Sequence, residues 1–355
     1  MANMLTPPSD EKPKTTGRDR WYSFLRWFDS WAGLEHMKVE GPPKFDWIRS
    51  IPFIAVHLMC LGVFWVGWSW TAVGVAVAFY FVRMFAITGW YHRYFSHRTF
   101  KTSRATQFAF AVLGGMCVQR GPLWWAGHHR HHHIASDTPD DVHSPRQRGF
   151  FWSHMGWFTS QTHFAPRFKA IADFYKFPEL RFLDRFDIVI PVLTGFAMFG
   201  LGRVLELSAP HLGTNGPQML IWGFFISTVA LAHGTFTINS LSHVYGSQRY
   251  ETGDDSRNNF ILALITMGEG WHNNHHYYPA STRQGFYWWE IDLTYYGLKL
   301  LERLGLVWDI REVPEYVREG KTKQESAKQE PDRSILKRPI DMTIPVQAPA
   351  ENIPA

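Results

Sequence analysis

The chain has 355 residues, 17 of them Trp and 28 Phe, with a formal net charge of +5 and two cysteines, Cys60 and Cys117. Two cysteines exclude a disulfide framework, a zinc-finger set and a cysteine-ligated iron–sulfur cluster. The basic residues gather near both ends without an aromatic-interleaved motif, which suits solvated faces or anionic lipid and argues against nucleic acid, while the aromatics concentrate in long apolar runs typical of a membrane protein.

In chain order, residues 1–20, with Pro7-Pro8, Pro13 and mixed charges, read as a disordered start without the apolar core of a signal peptide. Residues 21–50 mix Trp and Phe with Arg26, Lys38 and Lys44, as expected of an interfacial segment. Residues 51–70 form an uncharged run that, at ~1.5 Å per residue, crosses the ~30 Å hydrocarbon layer. Residues 71–91 form a second span, whose Arg83 must face protein or snorkel. Ala105–Gln119 is apolar but too short to cross and reads as a buried or interfacial helix. Residues 188–207, which tolerate Pro191, and 219–241 are the third and fourth spans. Their connection lacks Lys and Arg beyond Arg203, whereas both ends and the central region are rich in them, so the positive-inside rule places these three in the cytoplasm. Residues 314–355 turn charged and Pro-rich and read as a disordered tail. The expected architecture is an all-α membrane protein, residues 51–313, in which two transmembrane hairpins carry a cytosolic helical cap.

Three histidine boxes organise this frame: His92-Arg93-Tyr94-Phe95-Ser96-His97, then His128-His129-Arg130-His131-His132-His133, then Trp271-His272-Asn273-Asn274-His275-His276. Such density points to a metal site, because neutral imidazole is the commonest biological metal ligand and unpaired buried histidines are costly. Residues three and four apart share a helix face, so His129, His132 and His133 can converge, as can His272, His275 and His276. His128, His131 and His132 have the same spacing. His92 and His97, five apart, would point roughly 140° apart on an α-helix, which predicts a helix end where His97 swings back toward the metal.

The pattern H-x-x-x-x-H, H-R-x-H-H, W-H-N-N-H-H between two transmembrane hairpins resembles the membrane-bound fatty-acyl desaturases of the delta-9, stearoyl-CoA-desaturase-like branch, over roughly Pro52 to Ile310. Asp254-Asp255-Ser256-Arg257-Asn258-Asn259, Gly268-Glu269-Gly270-Trp271 and the segment Gly149–Trp157 are similar to bacterial and plant-type members. In the family an Arg follows the first His of the second box, so Arg130 sets the register on His129, His132 and His133. Position by position, the resemblance implies two irons: one held by His92, His97, His129, His133 and His275, the other by His132, His243, His272 and His276. Asn239, four residues before His243, would hold a water beside the second iron. Nine ligands exceed a closed four-coordinate zinc site. The paired Glu-x-x-His motifs of soluble di-iron proteins are also missing, since that spacing occurs once, at Glu269 and His272. Glu269, Asp137, Asp140 and Asp141 are candidate acceptors for the imidazoles. His36, His57, His163 and His211 read as ordinary surface or packing residues, and His143 and His154 as neighbours of the site.

The resemblance implies an oxygen-dependent desaturase that leaves a cis double bond, with dioxygen taking two electrons from the acyl chain and two from a reductant. No residue beyond the metal site is assigned a catalytic role. Gln119 and Trp125 match tunnel-kink positions of animal members. Without a dinucleotide-binding fingerprint or haem-binding segment, electrons must come from a separate carrier of ferredoxin, rubredoxin or cytochrome b5 type. A membrane fatty-acid or alkane hydroxylase, or a non-catalytic membrane metal-binding protein, are the rival readings. The implied location is a multi-pass bacterial inner-membrane protein with its site and both termini in the cytoplasm. In animal members an Arg before the Asp that precedes the second box, and an Arg-Lys pair after the S-H-x-G-W segment, reach the CoA headgroup; the corresponding positions here are Gly127-His128 and Gln161-Thr162. Arg120 and Arg146, with Arg148 and Arg167 nearby, are candidate replacements. Acyl-CoA is placed ahead of a membrane lipid as carrier because the delta-9 resemblance is broad.

Overall fold

A computed structural model of the chain describes residues 17–37 and 43–320. Among the described residues four helices are long and apolar enough to cross a membrane: span 1, Trp47–Val66; span 2, Trp70–Ser96; span 3, Val189–Ser208; and span 4, Gly216–His243. Spans 1, 2 and 4 start at capping side chains that satisfy orphan helix donors. Asp46 Oδ1 accepts from Arg49 N–H at 3.1 Å, Ser69 Oγ from Ala72 N–H at 3.1 Å and Asn215 Oδ1 from Gln218 N–H at 3.0 Å. Gly67, at φ 66°, ends span 1 in a conformation that costs glycine little. The first hairpin therefore breaks at residues 67–69, a few residues before the expected boundary, and span 2 runs on through the first histidine box. Pro191 falls in the first turn of span 3, where its missing N–H breaks no helical bond.

Spans 2 and 4 are the inner pair, with 44% and 56% of their apolar windows buried, against 6% and 17% for spans 1 and 3. Arg83 faces protein: it is fully buried and donates to Ser227 Oγ at 2.6 Å, Thr228 Oγ1 at 2.7 Å and Met116 O at 3.1 Å. Spans 1 and 3 each pack on span 4.

The cap consists mainly of α2 (Arg104–Gly115), α3 (Pro122–Ala135), α4 (Pro178–Arg185), α5 (Phe260–Ile265), α6 (His272–Tyr277) and α7 (Leu293–Arg303), preceded in the chain by α1 (Gly17–Leu25). The one sheet among the described residues is an antiparallel ribbon of β1 (Lys101–Thr102) and β2 (Val307–Trp308). A core of Trp90, Tyr91, Phe95, Leu123, Ala126 and Leu298 ties the inner end of span 2 to α3 and α7. The segment expected to lie in the interface is fastened to the cap and to span 1: Ser30 N–H donates to Arg185 O at 2.8 Å and Ser23 Oγ to Asp46 at 2.6 Å.

The expected disorder at both ends is corrected where residues are described. Residues 17–20 belong to α1, and the chain stays packed beyond 313 because α8 (Glu315–Arg318) buries Val317 and its Arg318 carbonyl accepts from the hydroxyls of Tyr250 and Tyr287. Residues 1–16 and 321–355 lie outside the described residues.

Candidate metal centre

The first histidine box lies where span 2 changes its winding. Over Ile87–Ser96 the helix is a π-helix, bonded from residue i to i+5, and His97 N–H donates to His92 O at 3.2 Å. Residues five apart are then neighbours across one turn. His97 does sit at the helix end, but the winding, rather than a swing of the chain, brings the two imidazoles together. The second box lies on α3, which opens on Gly121 and Pro122, and the third on α6. His243 closes span 4 in a final 3-10 turn, Leu241–His243.

These elements gather nine imidazoles into two groups, His92, His97, His129, His133 and His275 in one and His132, His243, His272 and His276 in the other, with the ligand atoms of each group within 4.8 Å of one another. Within the first group the Nε2 atoms of His97 and His129 are 2.8 Å apart, and those of His92 and His275, His129 and His133, and His133 and His275 are 3.0 Å apart. In the second, His243 and His272 Nε2 are 3.1 Å apart. Imidazole nitrogens lie ~2.0–2.1 Å from a divalent first-row cation, which sets adjacent octahedral ligands about 3 Å apart, so the donors fit a common metal. The Nε2 atoms of His132 and His276 are buried without a hydrogen-bond partner among the described residues, a cost that a bound cation removes. The rings of His133 and His276, one from each group, lie 4.5 Å apart, so the two groups adjoin.

Burial first, and then neighbouring imidazoles, hold His97, His129, His133, His272 and His275 well below the ordinary histidine range, in the neutral form that ligates. Carboxylates occupy the far side of four rings. Asp141 accepts from His132 Nδ1 at 3.1 Å, Asp137 from His243 Nδ1 at 2.9 Å and Asp254 from His276 Nδ1 at 2.7 Å. Glu269 accepts from His92 Nδ1 and is itself held by Arg93 at 2.9 Å and by Gln284 Nε2 at 3.1 Å. Burial favours the neutral carboxyl of Glu269, but His92 and Arg93 outweigh it and keep it down at about 2. Each such contact places the proton on Nδ1 and turns the Nε2 lone pair toward the group.

Of the expected acceptors, Asp140 plays no such part, since only its backbone carbonyl meets His131, at 3.1 Å. His128 and His131 stay outside both groups: His128 Nε2 meets Ala165 O at 3.1 Å, and His131 is half-buried. Asp254, Arg93 and Gln284 were not singled out in the sequence; Asp254 sat in a motif segment and Arg93 inside the first histidine box, while Gln284 carried no signal. His143 packs its ring 4.2 Å from that of His132. His57 is not an isolated histidine: its Nε2 lies 3.2 Å from His233 Nε2, and His233 Nδ1 lies 2.9 Å from His154 Nε2.

An apolar cavity of about 680 Å³ reaches the first group at His129 and contains Asn239, Gln119 and Trp125 in its wall, within the roughly 300–1,000 Å³ of small-ligand pockets. Trp125 stacks on His129 at 5.0 Å, and Gln119 Nε2 donates to Thr235 Oγ1 at 3.0 Å. Gln119 sits between Val118 and Arg120, at φ 59° and 70°, a strained backbone for a β-branched residue and one that holds the Gln side chain in the wall. Arg120 lines the cavity. Arg146 does not, because it is exposed and engaged with Asp255 at 2.6 Å. Arg148 lies over the Trp152 ring and Arg167 beside His128.

Known proteins share this arrangement of sequence. The family model for fatty acid desaturase matches residues 68–307. An sn-1 stearoyl-lipid 9-desaturase of Anabaena variabilis is 36% identical over 76% of this chain and 95% of its own length. A protein of the same name from Synechocystis sp. is 37% identical over 82% and 88%. An acyl-CoA 5-desaturase of Anemone leveillei is 36% identical over 75% and 79%. With four helices long and apolar enough to cross a membrane, two convergent imidazole groups and this similarity across most of its length, the chain belongs to the fatty acid desaturase family and is a membrane enzyme that desaturates fatty acyl chains.

Proposed function

We propose that this desaturase places a cis double bond at the delta-9 position of a saturated acyl chain attached to a membrane lipid, using two irons. The observation that carries the proposal is that an apolar cavity running between the spans reaches, at His129, one of two adjoining imidazole groups. His92, His97, His129, His133 and His275 would hold one iron, His132, His243, His272 and His276 the other, and Asn239 a water beside the second. When bound, the irons supply the oxidising power that dioxygen needs to remove two hydrogens from an unactivated chain.

The protein's own residues do the rest. Asp137, Asp141, Asp254 and Glu269 orient four imidazoles and hold their Nδ1 protons. The aromatic and aliphatic walls exclude water from the chain, and Trp125 with the Gln119–Thr235 pair fixes where it bends, so that one carbon pair is presented. The two electrons beyond those of the substrate come from a separate carrier of ferredoxin, rubredoxin or cytochrome b5 type. The metal centre and both termini are on the cytoplasmic side of a bacterial inner membrane.

A lipid carrier is favoured because Gly127-His128 and Gln161-Thr162 offer no cation to a CoA phosphate and Arg146 is occupied by Asp255. The similarity to two proteins named for stearoyl lipid points the same way, while the Anemone relative keeps acyl-CoA as the second reading. Expression in a host lacking unsaturated fatty acids, followed by chromatography of its lipids, tests the proposal. A cis delta-9 product on intact lipids is expected. A hydroxylated chain would indicate an oxygen-inserting relative, and an unchanged lipid profile a protein that only binds metal.

A further inference from the structure

We infer that the acyl chain enters sideways from the bilayer, through a cleft between spans 1 and 3, and that the phosphate of an anionic phospholipid is held at the mouth of that cleft by Arg26, Arg49 and Arg120. This rests on the lipid-linked reading above and specifies the route and the headgroup.

The cleft follows from the packing. Spans 1 and 3 lean on the first half of span 4 and make at most marginal contact with each other. The cavity fills the space between them: Pro52, Phe53 and Val56 line it from span 1, Val192 and Phe196 from span 3, and Phe224 from span 4. Phe196 and Val192 line it while remaining 72% and 46% exposed, so this wall is also the outer surface of the bundle. Span 4 is π-helical over Leu220–Ile226, the stretch that floors the cleft, and such winding recurs at functional sites. Apolar side chains at this depth meet hydrocarbon, the medium from which an acyl chain can slide in without crossing water.

The mouth is placed by the same elements. Arg49 lies in the first turn of span 1, Arg120 just before α3, and Arg26 just after α1, and all three line the cavity. Their guanidinium carbons lie 3.4, 4.3 and 5.1 Å from the centroid of one ring, that of Phe164. Two carboxylates stand nearby and both are engaged: Asp187 faces Arg120 at 3.3 Å and accepts from Ser30 at 2.8 Å, while Asp46 caps span 1 and accepts from Ser23. Three guanidiniums thus line the mouth, with Asp187 Oδ2 meeting Arg120 Nε and Asp184 acting on Arg120 from further off. A phosphate offers several acceptor oxygens in the geometry that guanidinium forks match. It would sit at the level where spans 1 and 3 begin, which is where a phospholipid carries it, with one acyl chain lying in the cavity that the cleft residues and His129 line together.

The test uses the full-length protein in phosphatidylcholine vesicles doped with either phosphatidylglycerol or uncharged diacylglycerol carrying a photoactivatable diazirine on one acyl chain. Peptide mapping of the wild type should place the label on the segments of Phe53 and Phe196, with phosphatidylglycerol favoured about tenfold. In Arg26→Gln/Arg49→Gln the preference should fall toward one. Gly195→Leu, whose added Cβ meets Leu220 and Phe224 at an ordinary 3.8 Å, should fill the cleft and remove the label from both lipids. Labelling of other faces, or equal labelling by the two lipids in the wild type, overturns the inference without need of any variant. Desaturation is followed in the same vesicles with dioxygen and a reducing ferredoxin system. If the lipid chain is desaturated while labelling ignores cleft and charge, the route alone is wrong; if only added stearoyl-CoA is desaturated, the lipid-linked reading fails and the route with it.

Discussion

One oxygen of Asp137 accepts both the Nδ1–H of His243, at 2.9 Å, and the backbone N–H of Asp255, at 2.8 Å. The end of span 4 is thereby tied to the loop that supplies Asp254 to His276. Asp137 itself sits at φ 57°, a conformation that Asp tolerates better than most residues. His243 holds its carboxyl well below the usual carboxylate range even though burial acts to raise it. Asp137→Asn keeps the shape and removes the anion. Metal affinity at the group of His132, His243, His272 and His276 should fall by about 10–100-fold, while the other group keeps its metal. Metal analysis after graded chelation should then show half the metal leaving first; simultaneous loss of all of it would contradict this.

The register of the second box is open to a direct test. His132 belongs to a metal group and is buried, whereas His131 is half-buried, lies outside both groups and meets a backbone carbonyl. His132→Ala should abolish double-bond formation, and His131→Ala and His211→Ala should each leave it within about twofold, as surface substitutions usually do. Fatty-acid profiles of expressing cells decide it. Equal loss in the His131 and His132 variants would mean that the register is misassigned.

Arg93 is fully buried between Glu269 and Asp292, and also donates to Thr282 O at 2.8 Å. A lysine has the charge but not the planar fork that serves three acceptors at once. Breaking a buried pair costs about 3–5 kcal/mol because a charge is left uncompensated. Arg93→Lys should therefore lower the thermal midpoint in detergent by several degrees and reduce bound metal, since Glu269 would lose the partner that fixes its contact with His92. An unchanged midpoint would show that Glu269 and Asp292 are held by other means.

Asp184 supplies a pH dependence away from the metal. It is buried, accepts from Trp124 N–H at 2.7 Å and Trp31 Nε1 at 3.1 Å, and burial pushes its carboxyl up to about 6. Between the unfolded value of 3.8 and about 6 the folded chain keeps a proton that the unfolded chain has released, so stability falls as pH rises through that window. At ~1.4 kcal/mol per unit the change is on the order of 3 kcal/mol, complete above pH 6. Asp184→Asn does not titrate. The thermal midpoint of the wild type relative to this variant should thus improve on going from pH 7.5 to pH 5, and an unchanged difference would place Asp184 in a wetter site.

The four spans and the three boxes were legible because each is a dense local signal: a run of apolar residues of membrane length, or histidines three and four apart. Arg130 was enough to choose between His128 and His129 within the resemblance. What escaped notice joins residues far apart in the chain. Arg26, Arg49 and Arg120 meet around Phe164 across separations that no periodicity records, and His57 gains neighbours only when span 1 lies against span 4. Arg146, chosen for its closeness to the second box, is drawn off by Asp255, more than a hundred residues further on. The winding of span 2 was hidden for another reason: apolar periodicity reports which face is buried, not which carbonyl each N–H chooses.

That choice of carbonyl makes the length of the first box a gauge. Five residues from His92 to His97 converge only while the helix is wound wide, and four would converge only on a tighter one, so spacing and winding can change together but not separately. Deleting one residue between them restores convergence only if the segment relaxes to an ordinary α-helix, which would rotate everything beyond Ser96 about the span's axis. An insertion elsewhere in span 2 shifts a lipid-facing surface and is absorbed by the membrane; here, it would leave His97 facing the wrong way, and the box would read as intact in the sequence while being broken in space.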